Sequence, residues 1–160
     1  MYMATEVIKV PQKRMKIIKE KKEELQNLLS VSLSFDEDSV VINGEADRVY
    51  FSLPVIKAIA RGFSLEDAKK LILEDYVLEI IDLQDFCNNP NCLKRLKSRI
   101  IGRKGKIKMK IQETTNSKIS VYGNTVSFIS PYYSAKYTKE AIEILLNGGK
   151  HSTLLNYLVR

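Results

Sequence analysis

The chain of 160 residues is most easily read from what it lacks. It has one histidine, two cysteines and no tryptophan. No apolar run approaches the roughly 18 residues that a membrane-spanning helix needs, so no such span is expected. The opening Met1-Tyr2-Met3-Ala4-Thr5-Glu6 lacks the basic, then apolar, then small-residue order of a secretory signal, which makes a cytoplasmic protein the expectation. Cys87 and Cys92 with His151 cannot complete a tetrahedral zinc set, so no metal is expected. Cys87-Asn88-Asn89-Pro90-Asn91-Cys92 could close a disulfide, but a reducing cytosol argues for two structural or bystander thiols.

Acidic residues are missing from one place in particular. Residues 94–110 hold nine lysines and arginines and no aspartate or glutamate. The whole chain has 26 basic and 19 acidic residues, which leaves 17 against 19 elsewhere. The net charge of +7 is therefore the property of one short stretch. Within it lies Ile100-Ile101-Gly102-Arg103-Lys104-Gly105-Lys106, a basic pair between two glycines. Glycine has no Cβ to hold a ligand off the backbone, so a glycine loop in a basic stretch points to a polyanion.

Hydrophobic periodicity organises the rest. Residues 5–10 read as a strand closed by Pro11, and residues 13–29, rich in Lys, Glu, Leu and Ile, as one helix. Residues 31–35 alternate as a half-buried strand, Asp36-Glu37-Asp38 turns, and residues 39–44 form a second strand. Asp47 caps a helix running to Gly62 through Pro54, and Ser64 with Asp67 opens another in a capping-box pattern. The pattern then restarts. Residues 76–83 read as a strand, 94–101 and 104–115 as helices, and 118–122 and 125–129 as strands around the hairpin pair Gly123-Asn124. A helix over 135–146 and an amphipathic piece over 152–158 complete the chain. The order β-α-α-β-β-α thus occurs twice, about 70 residues apart. With 44% apolar residues, a packed core is expected.

This order, with a glycine loop between its first two helices, resembles the KH domain, a module for single-stranded nucleic acid. The second copy carries the resemblance in Ile100 to Lys106, in Ile111-Gln112-Glu113-Thr114-Thr115-Asn116 and in Lys118-Ile119-Ser120-Val121. Four further segments extend it: Ala60-Arg61-Gly62-Phe63-Ser64-Leu65-Glu66-Asp67-Ala68, Glu79-Ile80-Ile81-Asp82-Leu83, Tyr122-Gly123-Asn124-Thr125-Val126 and His151-Ser152-Thr153. Together they look like the archaeal form of the partner-of-Nob ribosome-assembly family. The implied architecture is α+β, two tandem KH-like (β-α-α-β-β-α) subdomains packed together. Residues 1–62 are a degenerate copy, 63–74 a connecting helix, and 75–160 a KH domain with its glycine loop and C-terminal helix. The resemblance implies binding of single-stranded RNA, small-subunit rRNA near its 3′ end, beside a Nob-type endonuclease. It also leaves open contact with a translation-initiation factor.

The first copy departs from the family pattern. Where its loop should carry glycines it reads Glu20-Lys21-Lys22-Glu23, which adds Cβ atoms and negative charge where a phosphate would sit. It is read as a platform or a protein-binding surface.

In the second copy, Arg103 and Lys104 between Gly102 and Gly105 are expected to meet the sugar-phosphate backbone, with the amides opening the next helix. Such contacts position a strand and carry no base information. Arg99, Lys106 and Lys108 extend the basic surface, although Lys106, Lys108 and Lys110 cannot all share one helix face. Ile101, Ile119 and Val121 are either core or the apolar floor on which bases rest, because one face of a strand must pack inward anyway. Tyr132, Tyr133 and Tyr137 could stack on bases, but packing at a helix start is favoured. His151 has neither nucleophile nor carboxylate pair with it, and no acids line the basic stretch as a two-metal nuclease would need. No enzyme and no cofactor are expected. The rival reading is a protein-interaction adaptor whose basic surface meets an acidic protein.

Overall fold

The computed structural model describes residues 2–159. The chain divides into two compact units, Met1–Leu73 and Glu74–Arg160. The first unit runs β1 (Met3–Lys9), α1 (Gln12–Glu20), α2 (Lys22–Leu29), β2 (Ser32–Phe35), β3 (Ser39–Glu45), α3 (Ala46–Ala60) and the short α4 (Leu65–Ala68). The second runs β4 (Tyr76–Asp82), α5 (Pro90–Ile101), α6 (Lys106–Thr115), β5 (Lys118–Tyr122), β6 (Thr125–Pro131), α7 (Tyr132–Leu146) and α8 (His151–Leu158). Each unit has one antiparallel sheet of three strands, in the orders β1-β3-β2 and β4-β6-β5. The twofold β-α-α-β-β-α order expected from periodicity is therefore present.

The two copies are not offset uniformly. Their first strands begin 73 residues apart, at Met3 and Tyr76, and their last long helices 86 apart, at Ala46 and Tyr132. Most of the extra residues of the second copy fall before α6, in a longer approach to α5 and in the glycine loop, and two lengthen α6 itself.

Local chemistry explains most boundaries. The residues 13–29, read as one helix, break at Lys21, whose φ of −100° and ψ of 13° separate α1 from α2. α5 begins at Pro90, earlier than expected, because Asn89 accepts a hydrogen bond from Cys92 N at 2.8 Å and proline suits the first helical position. Cys87 and Cys92 flank this cap and are joined as a disulfide, with Cα atoms 6.1 Å apart, where two thiols were expected. α7 starts at Tyr132, directly after Pro131, and α3 continues through Pro54. Asp47 lies in the first turn of α3, whose cap position is Glu45. Ser64 does cap α4, accepting from Asp67 N at 3.2 Å. Leu65, Ala68 and Leu71 of the expected connecting segment are buried, and the segment groups with the first unit.

The core of the second unit places its loop. Leu93, Leu96 and Ile100 of α5, Ile107 and Ile111 of α6, Ile119 of β5, Val126 and Phe128 of β6, and Ile142 and Leu145 of α7 form one cluster. Buried faces of α5 and α6 hold the two ends of the intervening loop on a fixed base. No helix among the described residues is long and apolar enough to cross a membrane.

Candidate nucleic-acid interface

Between α5 and α6 the backbone takes three demanding turns within four residues. Gly102 has φ 74° and ψ 177°, Lys104 has φ 56° and Gly105 φ 75°. The Gly102 conformation is essentially reserved for glycine. A Cβ there would also lie 2.5 Å from Ile107 Cγ1 and 2.9 Å from Ile107 N. A Cβ on Gly105 would meet nothing within 4 Å. The first glycine is thus demanded by packing. The second sits where the protein leaves open space in front of the backbone.

Gly105 is the cap residue of α6 and brings no side-chain cap, and the first turn of the helix carries no acid. Gly105 N donates to Gly102 O at 3.2 Å and Lys106 N to Arg103 O, so these two amides are spent within the loop, and what the helix start offers an anion is the positive end of its dipole with no internal carboxylate against it. Arg103, Lys104 and Lys106 are exposed around them, and Lys108 is half-buried. Lys94 and Arg95 are exposed on α5. A helix start and mobile cations of this kind suit a run of phosphates.

The apolar candidates separate. Ile101 is 37% exposed beside the loop and Val121 is half-buried, so both offer accessible carbon. Ile119 is 4% exposed and belongs to the core cluster, so it supports the floor from beneath. β5 is an edge strand, and its Ile119 amide donates to Gln112 Oε1 at 2.8 Å. Sequence reading missed Gln112. The signal was present in the repeat, because Gln26 Oε1 accepts from Leu33 N at 2.8 Å across the same interval in the first unit.

Two other expectations change. Arg99 is not an open cation: its guanidinium donates to the carbonyl of Gly149 and its Nε is buried. Arg99 is half-buried, and its side chain is engaged within the second unit. Tyr132 and Tyr133 are 75% and 79% exposed, so the packing expected for them holds only for Tyr137. The Tyr137 ring lies 5.1 Å from that of Tyr157, and its hydroxyl donates to Tyr157 O at 3.2 Å.

In the first unit the corresponding place holds no loop. α1 and α2 meet at Lys21 alone, and Lys19 and Lys22 lie 5.7 and 5.9 Å from the Phe35 ring centre. Glu24 is paired with Lys69 at 3.4 Å and with Lys21 at 3.9 Å. This hinge has neither the glycines nor the open space before the backbone that Gly105 gives the second unit.

A three-stranded β-α-α-β-β-α unit with a glycine loop between its first two helices defines a KH-type RNA-binding protein. The model for the second KH domain of PNO1, described as a eukaryotic-type KH domain (KH-domain type I), matches residues 77–160. A KH domain-containing protein of Methanocaldococcus jannaschii is 35% identical over 97% of this chain and 73% of its own length. The pre-rRNA-processing protein PNO1 of Chaetomium thermophilum is 28% identical over 64% of this chain, which spans 41% of that protein. The crystal structure of Dim2p from Pyrococcus horikoshii OT3 is similar at 32% identity and a TM-score of 0.89, over 98% of this chain and 99% of that one. The same organism's a/eIF2alpha–aDim2p–rRNA complex contains a chain that is similar at 32% identity and a TM-score of 0.91, over 99% and 94% of the two chains. The chain belongs to the partner-of-Nob (PNO1/Dim2) family.

Proposed function

We propose that the protein binds a short single-stranded segment of small-subunit rRNA near its 3′ end and presents it during subunit maturation. The carrying observation is the Gly102–Gly105 loop, which opens onto the carboxylate-free start of α6 among Arg103, Lys104 and Lys106, with no acid in residues 94–110. Polyanion affinity comes from the charges, and selection of an unpaired strand comes from a groove between the loop and the β5 edge. The processing role named for the Chaetomium relative and the rRNA in the Pyrococcus complex support the choice of RNA. The protein acts by binding, in the cytoplasm, and leaves cleavage to a Nob-type endonuclease.

A second reading has its own support. The Pyrococcus complex also contains a/eIF2alpha, which favours an adaptor that docks on a translation-initiation factor. Titration of small-subunit rRNA 3′ fragments against the protein and its Arg103→Asp/Lys104→Asp variant separates the two. Loss of RNA binding in the variant supports the rRNA reading. Equal affinity transfers the weight to the adaptor.

A further inference from the structure

Arg99 is placed twice over against the turn that joins α7 to α8. Its guanidinium donates to Gly149 O, and its own carbonyl accepts from His151 Nε2 at 3.1 Å. A carbonyl can only accept, so His151 carries its proton on Nε2 in this arrangement. Two bonds of opposite sense thus clamp one residue of the last turn of α5. That turn is the base of the phosphate loop: Gly102 N donates to Ser98 O at 2.8 Å, and Ile100 beside Arg99 is fully buried.

The first unit repeats half of this wiring. Arg14 of α1 donates through Nε to Ile59 O at 2.8 Å and through Nη2 to Phe63 O at 2.7 Å. Phe63 and Gly149 are 86 residues apart, the interval that separates α3 from α7. In both units an arginine of the first long helix caps the chain leaving the last one, where unfilled carbonyls and the negative end of the helix dipole favour a cation. Only in the second unit does that arginine lie three residues before a glycine loop, and the helix that follows there, α8, opens on a histidine bonded back to it.

We propose that Arg99 is a positioning residue for RNA binding, and that the Gly149 turn and α8 are part of the RNA-binding device. The inference rests on the rRNA reading above. Arg99 does not touch phosphate. It fixes the end of α5, and through it the directions of the loop amides, against the Gly148–His151 turn. This turn has little freedom to move: a Cβ on Gly149 would lie 2.6 Å from Ile144 Cγ2 and from Ile144 O.

The test uses the full chain and measures RNA affinity across a salt series. Gly149→Ala keeps every cation and shifts the acceptor of Arg99. His151→Ala is a second, gentler variant should Gly149→Ala fail to fold. Each folded variant is expected to lose roughly threefold to tenfold in affinity, about the worth of one hydrogen bond, with an unchanged salt slope. Amide exchange should quicken at Gly102 to Ile107. Arg99→Ala should behave likewise, whereas a direct phosphate contact would lower its salt slope by roughly one unit. Unchanged affinity and exchange in Gly149→Ala and His151→Ala, or a reduced slope in Arg99→Ala, overturns the proposal. If the unaltered protein binds no RNA, the rRNA reading falls, and the exchange measurement still decides whether the turn holds the loop.

Discussion

Gly102 and Ile107 stand so close that a single added carbon on the glycine would overlap the isoleucine side chain at 2.5 Å. The contact ties the entry of the Gly102–Gly105 loop to the first turn of α6, so packing within the protein shapes the loop. Gly102→Ala should destabilise the protein by about 2 kcal/mol, from the positive φ together with the overlap. Gly105→Ala should cost about 1 kcal/mol in stability, from φ alone, yet should weaken RNA binding at least as much, because its Cβ enters the open space before the amides. Thermal melts paired with RNA titrations check both. A larger stability loss at Gly105 than at Gly102 would contradict this division of roles.

Reversing the loop charges removes attraction without touching the core. Arg103→Asp with Lys104→Asp should leave stability within about 0.5 kcal/mol, since both side chains are exposed. The salt slope of binding should become shallower by roughly one to two units. A variant that melts unchanged and binds with unchanged slope would place the phosphate site elsewhere.

Much of this was legible in the sequence because it is local. The Gly123-Asn124 hairpin appears with Tyr122 facing Thr125, and Gly123 supplies φ 55° at the first turn position. The glycine loop and its basic neighbours needed only adjacency. Lys21 gave no sign of the break between α1 and α2, because neither glycine nor proline marks it and the helix propensities run straight through. Arg99 carried the same charge as its neighbours. Only its partner 50 residues away, at Gly149, separates it from them. The exposure of Tyr132 and Tyr133 likewise depends on where α7 begins, which Pro131 set three residues earlier than periodicity suggested.

Gln112 and Gln26 give a matched pair of tests. Each holds the outward amide of an edge strand, on Ile119 and Leu33. Replacing either by alanine should cost about 1 kcal/mol of stability, the usual net worth of such a bond. Only Gln112→Ala should also weaken RNA binding, because only β5 is an edge strand of the unit that carries the glycine loop. Equal effects of the two variants on affinity would argue that both units bind RNA.

The disulfide sets a further expectation. Closing the short loop from Cys87 to Cys92 should stabilise the protein by at most about 2 kcal/mol by the chain-entropy argument. Reductant should therefore lower the melting temperature and release two thiols, and Cys87→Ser should show the lowered value without reductant. A melting temperature indifferent to both treatments would show that the cap at Asn89 suffices to start α5.

The central claim is that a groove, and not charge alone, recognises the nucleic acid. The proposed groove, between the loop and the β5 edge, would take unstacked bases over Ile101 and Val121, with a footprint of about four nucleotides. Paired strands hide those bases. The direct measurement is a competition at fixed salt between one RNA sequence as a single strand and the same sequence annealed to its complement. The account predicts clear preference for the single strand. Equal or stronger binding to the duplex would contradict it and leave the basic surface as the only recognition element.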